Sequence, residues 1–376
     1  MTETAEERYF PGLEGVIAGE TAISTLTGGL QYRGYAIMDL AQGATVEEVA
    51  YLLLWGELPN GTQLRDFSAR IAKARAIPEP VATAIAGLPK TAAPMDVLRS
   101  AVSLLAHFDP DTGDNSHDAN LRKAERLFGQ IPLVIAHHHR VRSGQKPLSP
   151  RDNLGHAANV LYLLTGREPG PAEARAMDLS LILYAEHEFN ASTFSARVTV
   201  STLSDLHSGI TSAIGTLKGP LHGGANERVM EMLQKIESPA EADRWIRDAL
   251  ARKERVMGFG HRVYKTGDPR AEIIRSYCQE LARQTGQTKY EEIADRIENV
   301  IRSEKKLPPN IDWPSGRLYY YMGLPIDLYT PIFVVSRVAG WSAHVIEQLD
   351  NNRLIRPLAR YTGPTGRKFV PLDKRG

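Results

Sequence analysis

Apolar positions recur at three- and four-residue spacing along most of the chain, with charged residues between them, the signature of amphipathic helices. Thr45-Val46-Glu47-Glu48 reads as a capping box that opens VEEVAYLLLWGEL, a helix that must stop before Pro59. Similar stretches follow at TQLRDFSARIAKARA, PMDVLRSAVSLLAHF and ANLRKAERLFGQIPLVIAHHHRVR. Pro132 lacks an N–H and is expected to kink or divide the last of these. Further helices are predicted near residues 152–165, 171–186, 192–217, 225–237, 240–254, 269–284, 289–304 and 330–350. Only residues 13–36 change period: GVIAGETAIST and LQYRGY flank Thr27-Gly28-Gly29, which suggests a short hairpin. No internal repeat is visible, which disfavours a solenoid. The predicted class is all-α with a short N-terminal β-hairpin.

Glycine and proline interrupt the helical pattern most clearly at 218–226 (KGPLHGGAN), 258–270 (GFGHRVYKTGDPR) and 307–316 (LPPNIDWPSG). Each break carries ionisable residues where the backbone is accessible. The charged helical stretch 223–323 is predicted to be a smaller domain, inserted into a larger one formed by 1–222 and 324–376. A cleft between two such domains is a natural ligand site.

Composition narrows the function classes. The 376 residues carry 45 Lys+Arg against 44 Asp+Glu, a net +1, so there is no basic excess to coat a nucleic acid. Apolar runs such as IPLVIA and TPIFVV fall far short of the roughly 18 residues of a membrane span. MTETAEERYF has no apolar segment of the kind that opens a signal peptide. Cys278 is the sole cysteine, which excludes an intrachain disulfide and a Cys-based zinc site. A cytoplasmic protein, with neither nucleic acid nor membrane as partner, is expected.

Most histidines have plain readings. His107, His156, His207 and His344 sit inside helical patterns and read as packing or surface residues. His137, His138 and His139 point around a helix rather than converging, and no metal-ligand spacing occurs, so no metal is expected. His187, His222 and His261 lie at helix ends or in glycine-rich turns. His222 precedes a helix predicted to start near Ala225, where the positive dipole end favours neutral imidazole, a donor for a developing enolate oxygen. A histidine capping its own loop is the competing reading. Around His261 the GxG lacks the third glycine and preceding strand of a dinucleotide fingerprint. Arg262, Lys265 and Arg270 there suit an anionic ligand, although a solvated loop would look the same. Asp312 stands in a Pro- and Trp-rich turn, where apolar packing would raise its pKa towards that of a general base; a turn aspartate is the alternative. Arg337, in PIFVVSRVAGW, requires an acidic partner or anionic ligand.

The stretches EHEFNAST, GPLHGGAN, GFGHRVYKTGDPR, NIDWPSG, PIFVVSRVAGWSAHVIEQ and DNNRLIRP, in this order and with GLEGVIAGETAIST and LQYRGY before them, resemble the citrate synthase family. Its short bacterial and archaeal dimeric branch is the nearest in look. The resemblance implies a large helical domain with a smaller insert and a homodimer with shared active sites. It implies condensation of acetyl-CoA with oxaloacetate, the first step of the tricarboxylic acid cycle, with no cofactor beyond the CoA thioester substrate. By motif, Asp312 would take a methyl proton, neutral His222 would stabilise the enol(ate), and His261 would protonate the oxaloacetate ketone. Water would then cleave citryl-CoA. His187, Asn190, Arg270 and Arg337 would hold oxaloacetate, with Arg356 lent by the partner subunit. CoA would lie against Val256, Met257, Gly258, Phe259, Gly260, Arg262 and Lys265, with Lys305 and Lys306 as outer contacts. Tyr184 replaces a histidine of the animal-type branch, so that outer contact does not transfer. The sister activity, 2-methylcitrate synthase, uses propionyl-CoA and shares the trio and Trp313; one methylene is worth only ~1–3 kcal/mol in a pocket. A non-catalytic helical dimer binding CoA or carboxylates is the reading from another class, and the intact trio argues against it.

Overall fold

Residues 9–260 and 267–375 are described by the computed structural model. In chain order the helices are α1 (Ile37–Gly43), α2 (Val46–Trp55), α3 (Gly61–Ala74), α4 (Glu79–Ala86), α5 (Pro94–Leu105), α6 (His117–Arg142), α7 (His156–Thr165) and α8 (Pro171–Tyr184). They continue with α9 (Ala191–Val200), α10 (Leu206–Leu217), α11 (Ala225–Leu233), α12 (Pro239–Ala251), α13 (Pro269–Gln284), α14 (Lys289–Lys305), α15 (Asp312–Tyr321) and α16 (Tyr329–Asp350). The capping box before α2 forms as predicted. Thr45 Oγ1 accepts from the Glu48 N–H at 3.3 Å, and the Glu48 carboxylate accepts from the Thr45 N–H at 2.7 Å.

Four expectations change. Helix α6 runs through Pro132 undivided. Proline removes only the single bond that would reach the Phe128 carbonyl, and buried neighbours on both sides hold the helix in the core. The helix expected over 192–217 is two, because Asp205 accepts from the Ser208 N–H at 3.0 Å and caps a fresh start at Leu206. Helix α15 was hidden by its prolines; Pro314 falls in its first turn, where a missing N–H costs little. The hairpin is a three-stranded antiparallel meander, β1 (Ser24–Thr25), β2 (Gln31–Tyr32) and β3 (Tyr35–Ala36).

Helices α6 and α16 form the centre, and α16 packs on α2, α6, α8, α9 and α10. A Cβ on Gly340 would lie 2.3 Å from the Ala185 carbonyl oxygen, so α16 rests directly on the chain leaving α8. The later helices pack together, α12 on α14 and both α11 and α13 on α15. Two buried polar links fix α15. Arg317 Nε donates to Glu291 Oε1 of α14 at 2.6 Å, and the Cys278 thiol of α13 donates to the Pro314 carbonyl at 3.0 Å. The α15 N-terminus, with Asp312, is thereby placed against α8. No helix among the described residues is long and apolar enough to cross a membrane.

Candidate active site

Helix ends converge on a cleft of ≈ 1020 Å³, whose walls include Tyr184, His187, His222, Arg270, Asp312 and Arg337. The last carbonyls of a helix have no partner within it and carry the negative end of its dipole. At the end of α8 arginines take them: Arg337 Nε donates to the Tyr184 carbonyl at 2.6 Å and Arg270 Nη1 to the Leu183 carbonyl at 3.4 Å. Asp268 grips Arg270 through Oδ1 to Nε at 2.9 Å and Oδ2 to Nη2 at 2.8 Å. Asp268 Oδ2 also accepts from the Ile311 N–H at 3.1 Å, which ties this arginine to the residue before Asp312. Burial pulls Arg337 down to about 10 against the opposing pull of Glu186.

Under these arginines lies a polar chain that periodicity did not reveal. Glu186 is buried, and its Oε1 accepts from Ser24 Oγ at 3.0 Å and pairs with His344 Nε2 at 2.9 Å. Arg197 Nη1 donates to His344 Nδ1 at 3.0 Å, so the His344 proton sits on Nε2. His344, read from sequence as packing or surface, is a member of this relay. Burial alone would raise the Glu186 carboxyl, but His344 and Arg337 outweigh it and hold it below its ordinary value.

His222 sits where the glycines require it. A Cβ on Gly223 would lie 2.2 Å from the Leu217 carbonyl oxygen, and Gly224 caps α11 at φ 77°. Its Nε2 receives the backbone N–H of Ser192, at the start of α9, at 3.2 Å, and Ser192 Oγ is 2.8 Å away. A backbone N–H can only donate, so Nε2 is the lone-pair side and the proton is on Nδ1. Burial, then the Arg337 charge, lowers the imidazole to about 4. A neutral Nδ1–H donor remains for a ligand in the cleft.

Asp312 is the first residue of α15, not a turn residue before it. Tyr184 Oη donates to its Oδ1 at 2.7 Å, and its own N–H donates to Asn310 Oδ1 at 3.0 Å. Burial raises the carboxyl above its ordinary value, although the Tyr184 hydrogen bond opposes that rise. The segment 256–260 lines the same cleft and is laced to the Asp312 loop. The Gly260 N–H donates to Pro308 O at 2.8 Å and the Asn310 N–H to Gly258 O at 2.9 Å. Phe259 packs on Trp313 at 4.5 Å.

The other predicted residues divide. His187 and Asn190 line the cleft, and Asn190 Oδ1 also caps α9 through the Thr193 N–H at 3.1 Å. Val256, Met257, Gly258, Phe259 and Gly260 line it too. Lys305 and Lys306 are exposed at the end of α14, apart from the cleft walls, and Arg356 is exposed on the arm after α16. His261, Arg262 and Lys265 lie outside the described residues. Sequence reasoning missed Ser192, Arg255 and the place of the strap 12–19, and it set Tyr184 aside as a contact that does not transfer; all four are at or line the cleft. Ser192 carried a signal in its place just inside a helix start; the strap lies within GLEGVIAGETAIST, which entered only as part of the resemblance. Among the described residues no cluster of three or more His, Cys, Asp or Glu side chains could hold a metal ion.

A neutral imidazole donor and a buried carboxylate, sharing a cleft with two anchored guanidinium groups, define the class: a helical enzyme equipped for acid–base chemistry on an anionic substrate. The family model for the citrate synthase C-terminal domain matches residues 12–358. Citrate synthase 2 of Bacillus subtilis is 49% identical over 97% of this chain and 98% of its own, and 2-methylcitrate synthase 1 of Corynebacterium glutamicum is 46% identical over 97% and 98%. Among solved structures, citrate synthase of Pyrobaculum aerophilum superposes with a TM-score of 0.90 at 42% identity, covering 97% of this chain and 95% of that one. The Thermoplasma acidophilum enzyme, in a ternary complex with carboxymethyl coenzyme A and oxaloacetate, gives 0.91 at 38% identity over 97% and 99%. The chain belongs to the citrate synthase family.

Proposed function

We propose that this protein condenses acetyl-CoA with oxaloacetate and hydrolyses the resulting citryl thioester. The observation that carries the reading is that His222, with its proton on Nδ1, shares one cleft with the buried Asp312 carboxylate. Asp312 removes a proton from the acyl methyl while His222 donates to the thioester oxygen, whose negative charge grows in the transition state. Arg270 and Arg337 bind the oxaloacetate carboxylates, with His187 beside them, and His261 delivers a proton to the ketone as the carbon–carbon bond forms. Water then releases citrate and CoA.

The CoA lies along 256–260, with Arg255 and the cations after Gly260 for its phosphates. Residues 223–323 close against the rest of the chain, which keeps water from the thioester until condensation is complete. The working unit is a cytoplasmic homodimer. Leu354, Leu358 and Tyr361 are exposed on the arm after α16, which suits burial on a second copy, with Arg356 of the same arm reaching that copy's cleft. No cofactor takes part. Thiol release from acetyl-CoA and from propionyl-CoA, each with oxaloacetate, tests the reading. A higher kcat/KM for acetyl-CoA is expected; a propionyl preference would make the enzyme a 2-methylcitrate synthase instead.

A further inference from the structure

Tyr184 ends α8, and its side chain reaches the first turn of α15. Its hydroxyl lies 2.7 Å from Asp312 Oδ1 and 2.7 Å from Ser315 Oγ. A phenol has one proton, and an ionised carboxylate only accepts. The Tyr184 proton therefore goes to Asp312, and the Ser315 hydroxyl donates in turn to the phenol oxygen. The result is a directed chain, Ser315 to Tyr184 to Asp312, in which each donor is fixed by the next acceptor.

Both ends of Tyr184 are held. Its carbonyl takes the Arg337 Nε at 2.6 Å, and its buried ring meets Phe333 edge-on at 4.6 Å. Burial and the Asp312 charge push the phenol well above its ordinary value, so it stays a donor wherever the enzyme works. Among the described residues no hydrogen bond reaches Asp312 Oδ2. One carboxylate oxygen is thus occupied and the other is left for chemistry.

We infer that Tyr184 is a positioning residue for the base: its hydroxyl locks the Asp312 carboxylate so that Oδ2 alone takes the carbon-bound proton, and it stabilises the ionised form. The inference rests on Asp312 being the base. The other charges facing Asp312 are Arg270 of α13, its partner Asp268 and Arg337 of α16, and none of them bonds its carboxylate oxygens. Burial raises its proton affinity, and Tyr184 is the group that fixes its orientation and opposes that rise by direct contact.

The test uses full-length Tyr184→Phe, Ser315→Ala and Asp312→Asn, with kcat and KM measured across pH. Loss of a hydrogen bond to a carboxylate raises its pKa, so the acidic limb of kcat in Tyr184→Phe is expected to move to higher pH by about one unit. On that limb kcat falls about tenfold, while KM for oxaloacetate stays within about twofold. Ser315→Ala, which strips the donor behind the phenol, shifts the limb the same way by less. A purely structural role would lower kcat without moving the limb. Should Tyr184→Phe fail to fold, Ser315→Ala decides by itself, and an unmoved limb there overturns the inference. An inactive Asp312→Asn with an unmoved limb in Tyr184→Phe also overturns it and leaves the base assignment standing. An active Asp312→Asn overturns that assignment and the inference with it.

Discussion

Ser192 meets His222 twice, with its backbone N–H at 3.2 Å and its hydroxyl at 2.8 Å from the same ring nitrogen. The two contacts differ in consequence. The backbone contact survives every substitution except proline, which lacks an N–H, and it fixes the tautomer. The hydroxyl takes the Trp341 indole N–H at 3.1 Å and directs its one proton between the ring nitrogen and Asn190 Oδ1, 2.7 Å away, so it settles the ring's angle.

Ser192→Ala is therefore expected to lower kcat only about five- to tenfold, the value of one hydrogen bond of about 1–1.4 kcal/mol. His222→Ala removes the donor itself and should cost about 10²–10³-fold. Steady-state thiol release at one pH measures both. Equal losses would mean that the hydroxyl, and not the tautomer, carries the function of this pair.

His222 is lowered to about 4, so it is neutral throughout pH 5–8 and cannot shape the activity profile there. Asp312 is raised and must be ionised to act, so activity falls as pH drops through its raised value. The acidic limb should therefore be absent from the pH dependence of binding for an oxaloacetate analogue that needs no base. Calorimetric titration of such an analogue from pH 5 to 8 checks this; a limb in binding would point to an arginine partner or to His187.

Arg337→Lys and Arg270→Lys should raise KM for oxaloacetate about 10–100-fold and change KM for the acyl thioester much less, because an ammonium cannot reproduce a forked guanidinium contact. Arg270→Lys should also slow turnover. Asp268 holds that guanidinium and the Ile311 N–H together, and a weaker grip is passed to the Asp312 loop.

The Glu186 carboxyl is held below its ordinary value of 4.5. A depressed acid contributes stability that is fully present above the ordinary value and is lost as pH falls through the lowered one. Glu186→Gln should destabilise the protein by about 3 kcal/mol at pH 7, the scale for breaking a buried pair. The gap to the unchanged protein should narrow below pH 4. Urea midpoints at pH 7 and pH 3.5 test this, and a constant gap would mean that folding leaves the Glu186 pKa unshifted.

Gly340→Ala places a Cβ 2.3 Å from the Ala185 carbonyl and 2.4 Å from Glu186 Oε2. The neighbours are backbone and a buried carboxylate, so relief requires α16 to move. A loss of about 1–3 kcal/mol is expected, read as a lower melting temperature. An unchanged melting temperature would show that α16 and α8 can slide apart freely.

Sequence reading reached the helices because each has to bury one stripe, and a stripe leaves a period. It reached His222, Asp312 and Arg337 because each breaks a local rule: a histidine among glycines, a carboxylate among prolines, an arginine in an apolar helix. It did not reach the roles of Tyr184, Ser192 or His344. All three obey the local pattern, since Tyr184 and His344 sit at ordinary buried helix positions and Ser192 is an ordinary residue in a helix's first turn. Their roles arise from what stands opposite them 30 to 158 positions away in the chain. Pro132 and Pro314 misled for the converse reason: a proline is disruptive in isolation, whereas a well-packed helix can absorb one missing bond.

The lone cysteine has a practical consequence. Cys278 is sealed inside, its thiol engaged by the Pro314 carbonyl and pushed far above the range in which it would ionise. Since the thiolate is the reacting form, a disulfide reagent that counts released CoA will be blind to the folded enzyme. The same reagent becomes a clock when the fold opens, because each chain then contributes one new sulfhydryl and no more. Turnover and unfolding can thus be followed in one cuvette with one dye, separated only by whether substrate is present.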